Sequence, residues 1–333
     1  MVPLRQSCHD RFRITAEADV GAVRRAVAGY ADQVHATPAG RGRAELVATE
    51  LATNLVRHAD PGGFVLVRPV PPDGVELLAV DHGPGIADPA AAVDARTPTP
   101  HGLGRGLAVV RRASAEFDLY TEPGRGTVVL SLVGVAGTEP APRTWAGLSV
   151  AVAEVCGDGW AVAPVPDGLA VLVVDGLGHG VAASVAADAA IEAFAKDPAD
   201  LTGYPGRAND LMRPTRGGAL AVCRLRPDRV EYLSIGNVSG RVVNAADERG
   251  MVGTSGTMGL KAVPPRIRPA SLGWAPGGVL VLWTDGLTSR VHASERPGLL
   301  EHHPAVVAAT LYREHSRERD DATIVVLRHP ERR

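Results

Sequence analysis

Three apolar runs in this chain stop on an aspartate and turn at once through glycine: VELLAVDHGPG (75–85), LAVLVVDGLGHG (169–180) and VLVLWTDGL (279–287). A short apolar run bounded this way reads as a buried strand whose end presents a carboxylate beside a tight turn. The chain therefore needs several short strands and many sharp loops, and its 38 glycines and 26 prolines, which follow no collagen-like period, supply them. At roughly 150 residues per domain, 333 residues predict two domains, each able to bury its own core.

The clearest change in composition is GVAGTEPAPRTWAG (134–147), which places a linker at 136–146 between domains at 1–135 and 147–330. Upstream, apolar residues fall at helical spacing over 42–59 and 106–114, with strands at 75–81 and 126–132, an α/β pattern. Downstream, short strands alternate with Gly, Pro and Asp around an Ala-rich helix at 181–195, a β-rich core carrying helices. Thirty-five basic residues against 37 acidic ones leave a net charge of -2, which argues against a general nucleic-acid or membrane-surface binder. Cys8, Cys156 and Cys223 form no CxxC pair, so reduced thiols and no structural zinc are expected. With no apolar run near the roughly 18 residues of a membrane span and no signal-peptide core, a soluble cytoplasmic protein is expected.

In the first half, Glu50, Asn54 and His58 recur at i, i+4 and i+8 and share one helix face. An amide oxygen one turn from a carboxylate can ligate magnesium while the acid accepts a proton. Downstream lie Asp81-His82-Gly83-Pro84-Gly85 and then His101-Gly102-Leu103-Gly104-Arg105-Gly106, glycines that let backbone approach phosphate at a helix start. ELATNLVRHA, VDHGPGI, HGLGRGL and GRGTVV, in this order, resemble the GHKL (Bergerat-fold) ATP-binding family. Within it they are most similar to the serine kinases of sigma-factor and stressosome switches. The resemblance implies an α/β sandwich in which Glu50 is the general base and Asn54 the magnesium ligand. It makes Asp81 the acceptor of the adenine amino group and Thr127 a further adenine-side contact. Gly83, Gly85, Gly102, Gly104 and Gly106 then shape the ATP pocket. The short segment between the glycine boxes argues against a gyrase-type machine, and the lack of room before residue 42 for a phospho-accepting helix argues against a two-component histidine kinase.

In the second half, Asp158, Asp175, Asp285 and Asp320 each begin or end an apparent strand. Four carboxylates converging from separate strands repel unless cations neutralise them, and hard oxygen donors select Mg2+ or Mn2+. Two such ions would acidify a bridging water for in-line attack on a phosphate ester. The constellation resembles the metal-dependent PPM phosphatases of the SpoIIE-like branch, stressosome phosphatases included, whose fold is a β-sandwich flanked by helices. The resemblance implies that Asp158, Asp175, the Gly176 carbonyl, Asp285 and Asp320, the first of the DD pair, are the ligands. Ala161 and Asn237 depart from the broader pattern, where an Asp and a His are usual. His179 reads either as a proton donor to the leaving seryl oxygen or as a cap of the next helix. Trp145, Trp160, Trp274 and Trp283 read as packing anchors.

Together the resemblances imply a bifunctional regulator that phosphorylates and dephosphorylates Ser/Thr of STAS-domain anti-sigma antagonists or stressosome scaffold proteins in partner switching. A downstream phosphatase or sigma-factor regulator, and a homodimer, are among the partners they imply. The alternative is an ATP-binding interaction switch fused to an active phosphatase.

Overall fold

The computed structural model describes residues 7–72, 74–94, 103–135, 143–245 and 247–329, the side chains of 103–105 excepted. Gly102 and most of the expected linker lie outside the described residues. The chain packs into two compact units, one of His9–Arg143 with Glu301–Arg313 and the other of Met1–Cys8, Thr144–Leu300 and Glu314–Arg333.

The first unit contains β1 (Asp10–Ile14), α1 (Glu17–Gln33), α2 (Pro38–His58), β2 (Gly63–Val70), β3 (Gly74–Asp81), α3 (Pro89–Asp94), α4 (Leu103–Ala113), β4 (Glu116–Glu122) and β5 (Gly126–Gly134). Its strands form one antiparallel sheet in the order β1-β2-β3-β5-β4. Alternate residues such as Val65, Val67, Leu77, Ala79 and Val129 meet Val23, Val27, Val47, Leu51 and Leu55 of α1 and α2 in one core. Helix α2 starts where Thr37 Oγ1 accepts Gly40 N at 3.0 Å with Pro38 next, and ends on Arg57 and His58, cations suited to the negative end of a helix. Its buried stripe of Ala44, Val47, Ala48, Leu51, Ala52 and Leu55 fixes its rotation, leaving Glu50 and Asn54 half-buried on a neighbouring face.

The second unit contains β6 (Trp145–Val150), β7 (Asp158–Val165), β8 (Gly168–Gly176), α5 (Val181–Lys196), α6 (Tyr204–Met212), β9 (Gly218–Leu225), β10 (Arg229–Ile235), β11 (Ser239–Val243), β12 (Glu248–Gly250), β13 (Ala270–Gly273), β14 (Val279–Trp283) and β15 (Ala322–Arg328). Helix α7 (Pro304–His315) precedes β15 in the chain, but its residues up to Arg313 belong to the first unit. Two five-stranded sheets form, ordered β13-β10-β9-β8-β7 and β12-β11-β14-β15-β6. Val171, Val173 and Cys223 of one meet Leu280, Leu282, Val325 and Leu327 of the other in a shared core. The residues between them, Leu172, Val174 and Val222, face the opposite way onto Ala186, Ala190, Phe194 and Met212 of α5 and α6. This is a β-sandwich with helices on its outer face. Trp160, Trp274 and Trp283 are buried, and Trp145 stacks edge-on with Trp160, as packing anchors do. No helix among the described residues is long and apolar enough to cross a membrane.

Candidate active sites

In the first unit a cavity of about 320 Å3 opens between α2, β3, β5 and α4, lined by Asn54, His58, Asp81, Gly85, Leu107 and Thr127 among others. Asp81 is the last residue of β3. Its Oδ1 accepts Gly83 N at 2.7 Å and Thr127 N at 3.2 Å, so one carboxylate orders the glycine turn and joins it to β5. Burial raises its pKa, against the pull of those two amides. Arg313 Nη1 donates to the Asp81 carbonyl at 3.0 Å, a tie 232 positions away in sequence that no local pattern announces. Gly85 has φ +75°, and a Cβ there would come within 2.6 Å of Glu122 O, so the turn demands glycine. Thr121 Oγ1 accepts Ile86 N at 2.8 Å and lies 3.1 Å from Thr127 Oγ1, a support that sequence reasoning missed.

Glu50 and Asn54 meet the start of α4 at Gly106. A Cβ on Gly106 would stand 2.8 Å from Glu50 Oε2 and 3.4 Å from Asn54 Oδ1, so any side chain there displaces them. Asn54 Nδ2 is buried without a hydrogen-bond partner, an amide whose polar capacity the described residues leave unused. Gly83 sits against Asp81 and the backbone of α2, and Gly104 lies in the first turn of α4. An unsatisfied amide, a single carboxylate and an apolar floor fit a nucleotide base with its phosphates toward Asn54.

In the second unit a pocket of about 440 Å3 is lined by Asp175, Leu177, Gly178, Asn237, Asp285 and Asp320, with Ser255–Thr257 also on its wall. Each acid comes from a sheet end. Asp175 is the penultimate residue of β8, Asp285 follows β14, and Asp320 precedes β15. Asp158 begins β7 directly across from Asp175 in the antiparallel register, but it is 2% exposed and is bonded by Thr284 Oγ1 at 2.7 Å. Burial, then the charges of Asp285 and Asp320, push Asp175 up to about 7. Burial and the Asp175 charge raise Asp158, while partial burial raises Asp320 with Asp285 adding to it. Gly176 is packed so that a Cβ would strike Ala183 O.

Among the described residues no three His, Cys, Asp or Glu side chains are drawn close enough to hold one ion as they stand. The donor chemistry fits hard divalent cations nonetheless, because three carboxylates share one pocket with a fourth behind them, and like charges held this close repel unless a cation neutralises them. The two members of the DD pair divide: Asp320 lines the pocket, whereas both Asp321 oxygens accept backbone amides, Val152 N at 2.7 Å and Gly157 N at 2.6 Å. Asn237 Nδ2 donates to Asp285 Oδ2 at 2.5 Å, so this departure from the expected His acts on an acid of the pocket. His179 does not cap α5. The N-cap is Gly180, no side chain caps it, and His179 instead lies near Asp320, where it offsets a small part of that acid's rise.

Residues 13–132 match the histidine kinase-like ATPase domain model, and residues 166–330 match the model of stage II sporulation protein E. The chain is similar to the serine/threonine-protein kinase RsbT of Bacillus subtilis (strain 168), at 32% identity over 129 residues, 38% of this chain and 95% of the relative. Among solved structures, a chain of the bacterial stressosome, a modular system adapted to control secondary messenger signalling, aligns with 55% of this chain and 97% of its own. Its TM-score is 0.50 at 22% identity, a likeness of fold. RsbX in complex with magnesium aligns with 55% and 94%, with a TM-score of 0.47 at 19% identity.

Proposed function

Because this chain belongs to the family of the serine/threonine-protein kinase RsbT and carries a SpoIIE domain of PPM type beside it, we propose that it is a bifunctional regulator. It phosphorylates, with ATP, and dephosphorylates serine or threonine on STAS-domain anti-sigma antagonists or stressosome scaffold proteins in the cytoplasm. The observation that carries this reading is the presence of two separate pockets with opposite chemistry. One is apolar with one carboxylate and one unused amide; the other is lined by mutually repelling acids.

In the kinase half, Asp81 would accept the adenine amino group on the oxygen that Gly83 and Thr127 leave open, and Asn54 would hold magnesium. Glu50 Oε2 would take the proton of the substrate seryl hydroxyl as it attacks the γ-phosphate, a transfer that depends on positioning. In the phosphatase half, Asp158, Asp175, the Gly176 carbonyl, Asp285 and Asp320 would hold two Mg2+ or Mn2+ ions. Those ions supply an acidified water and charge neutralisation. The chain's own groups orient the site: Thr284 fixes Asp158 and Asn237 fixes Asp285. Leu177 on the pocket wall and Val181 and Val185 on α5 are 51%, 66% and 50% exposed, an apolar margin that suits a protein substrate.

Incubation with labelled ATP and a STAS-domain protein tests the reading. Glu50→Gln is expected to lower transfer about 10^2–10^4-fold, the range for a general base, with ATP affinity kept. Transfer equal to wild type with ATP still bound would replace it with the ATP-binding interaction switch. Phosphoserine hydrolysis that survives Asp175→Asn would remove the phosphatase half.

A further inference from the structure

Arg216 takes no part in the ligand set above, yet it stands at the wall of the acidic pocket. It lies in the turn between α6 and β9, and that turn is firmly braced. Thr215 N and Oγ1 both donate to Met212 O at 2.9 and 2.7 Å, and Gly217 N donates to Thr215 Oγ1 at 3.0 Å. Gly217 O accepts Leu177 N at 2.9 Å, and Gly218 and Met258 exchange two backbone bonds at 3.1 and 2.9 Å. The backbone beside Arg216 is thus sewn to Leu177–Gly178 and to the end of the Ser255–Thr257 segment, both on the pocket wall.

The guanidinium lies beside that wall at Gly178. Arg216 Nη1 is 3.2 Å from the point where Gly178 would carry a Cβ, and Gly178 has φ +89°, so a side chain there would be strained and would crowd the arginine. Several arginines of this unit are engaged: Arg207 with Asp200, Arg224 and Arg226 with Asp167, Arg241 with Glu248, Arg296 with Glu314. Arg216 is exposed and makes no hydrogen bond or ion pair among the described residues, although three carboxylates line the pocket beside it. A planar fork of donors held on a rigid turn and left unpaired matches the oxygens of a phosphate monoester.

We propose that Arg216 is a substrate-binding residue that grips the phosphoryl oxygens of the phosphoserine or phosphothreonine side chain in the acidic pocket. The inference rests on the phosphatase reading above and deepens it. A guanidinium that holds phosphate in both ground and transition states contributes mainly to binding, so its removal should act on KM.

The test uses full-length protein loaded with Mn2+, as wild type, Arg216→Ala and Arg216→Lys, with a phosphoserine peptide and p-nitrophenyl phosphate as substrates. Arg216→Ala is expected to raise KM for both, and the inhibition constant of inorganic phosphate, about 10- to 100-fold, the range for losing charged hydrogen bonds. Its kcat should stay within about threefold, and Arg216→Lys should recover part of the loss, since a lysine keeps the charge but not the fork. KM and phosphate inhibition unchanged in Arg216→Ala would overturn the proposal while leaving the phosphatase reading intact. If wild type releases no phosphate from either substrate, that reading fails on its own. Calorimetric binding of inorganic phosphate then decides Arg216: binding weakened in Arg216→Ala upholds the assignment, and equal binding overturns it.

Discussion

Two sets of buried carboxylates, one in each unit, are treated in opposite ways. In the ATPase unit Glu76 and Asp118 are matched by donors of the chain. Glu76 meets Arg68 Nε at 2.8 Å and His9 Nε2 at 2.9 Å, and Asp118 meets His302 Nδ1 at 3.0 Å and His303 N at 2.6 Å. Burial would raise both, but Arg68 and His9 outweigh it for Glu76, and His302 with the His303 amide outweigh it for Asp118; both end below their ordinary values. In the phosphatase unit Asp158, Asp175 and Asp320 are raised, because burial is compounded by neighbouring acids. A lowered carboxylate stabilises the fold by being charged, whereas a raised one is a charge the fold tolerates poorly. The difference separates acids that build structure from acids that, on the proposed reading, a divalent cation would neutralise, and both kinds sit at similar places, on strands and at their ends.

The largest expected effect falls on the matched set. Glu76→Gln leaves Arg68 buried without its counter-charge, and breaking such a pair costs about 3–5 kcal/mol. The calorimetric transition that ATP shifts should move down accordingly. Its pH dependence should change as well. A lowered Glu76 contributes stability that is full above its unfolded value of 4.5 and is lost as pH falls below it. Wild type should therefore weaken steeply on acidification through that value, and the variant should weaken less. Equal slopes would mean that Glu76 is not the acid that this unit depends on.

The unmatched set should respond to ions instead. All four tryptophans, at 145, 160, 274 and 283, lie in the phosphatase unit, so tryptophan fluorescence follows its melting. At a hundredfold excess over its dissociation constant, Mn2+ should add about 2.7 kcal/mol of stability there. Asp175→Asn should remove that gain and lower phosphoserine hydrolysis more than about 100-fold, beyond the usual loss from an outer-shell group. A full Mn2+ shift in Asp175→Asn would collapse the distinction between the two sets.

The parts of this contrast that were legible in sequence are those carried by local pattern. The strand ending on Asp81, the helix bearing Glu50 and Asn54, and the strand–Asp–Gly junctions at Asp175 and Asp285 all follow from apolar runs that stop at turn residues. What was not legible depends on long-range contact. His9 reaching Glu76, Arg313 reaching the Asp81 carbonyl and Thr284 reaching Asp158 join residues 67, 232 and 126 positions apart. The same holds for the division within Asp320-Asp321. Two identical neighbours meet different surroundings, and only the positions of Val152 and Gly157 decide which one is tied to backbone. His179 misled as a cap because the residue after it, Gly180, takes the N-cap position.

Two smaller effects sharpen the contrast within each pocket. Asp81→Asn can still accept Gly83 N and Thr127 N through its amide oxygen, so the turn should survive, but its other atom becomes a donor where the adenine amino group needs an acceptor. ATP affinity should fall about 10- to 100-fold with the melting transition nearly unchanged. Asn237→Ala removes the side-chain amide that donates to Asp285. An outer-shell loss of this kind costs at least about tenfold in metal affinity or activity, and the low end applies here because Asp285 keeps its place after β14. Manganese titration of phosphoserine hydrolysis should show the deficit at low metal and its disappearance at saturation. If Asn237→Ala instead lowers the saturated rate at unchanged metal affinity, Asn237 acts on the substrate, and the acidic pocket holds its ions without help from the amide.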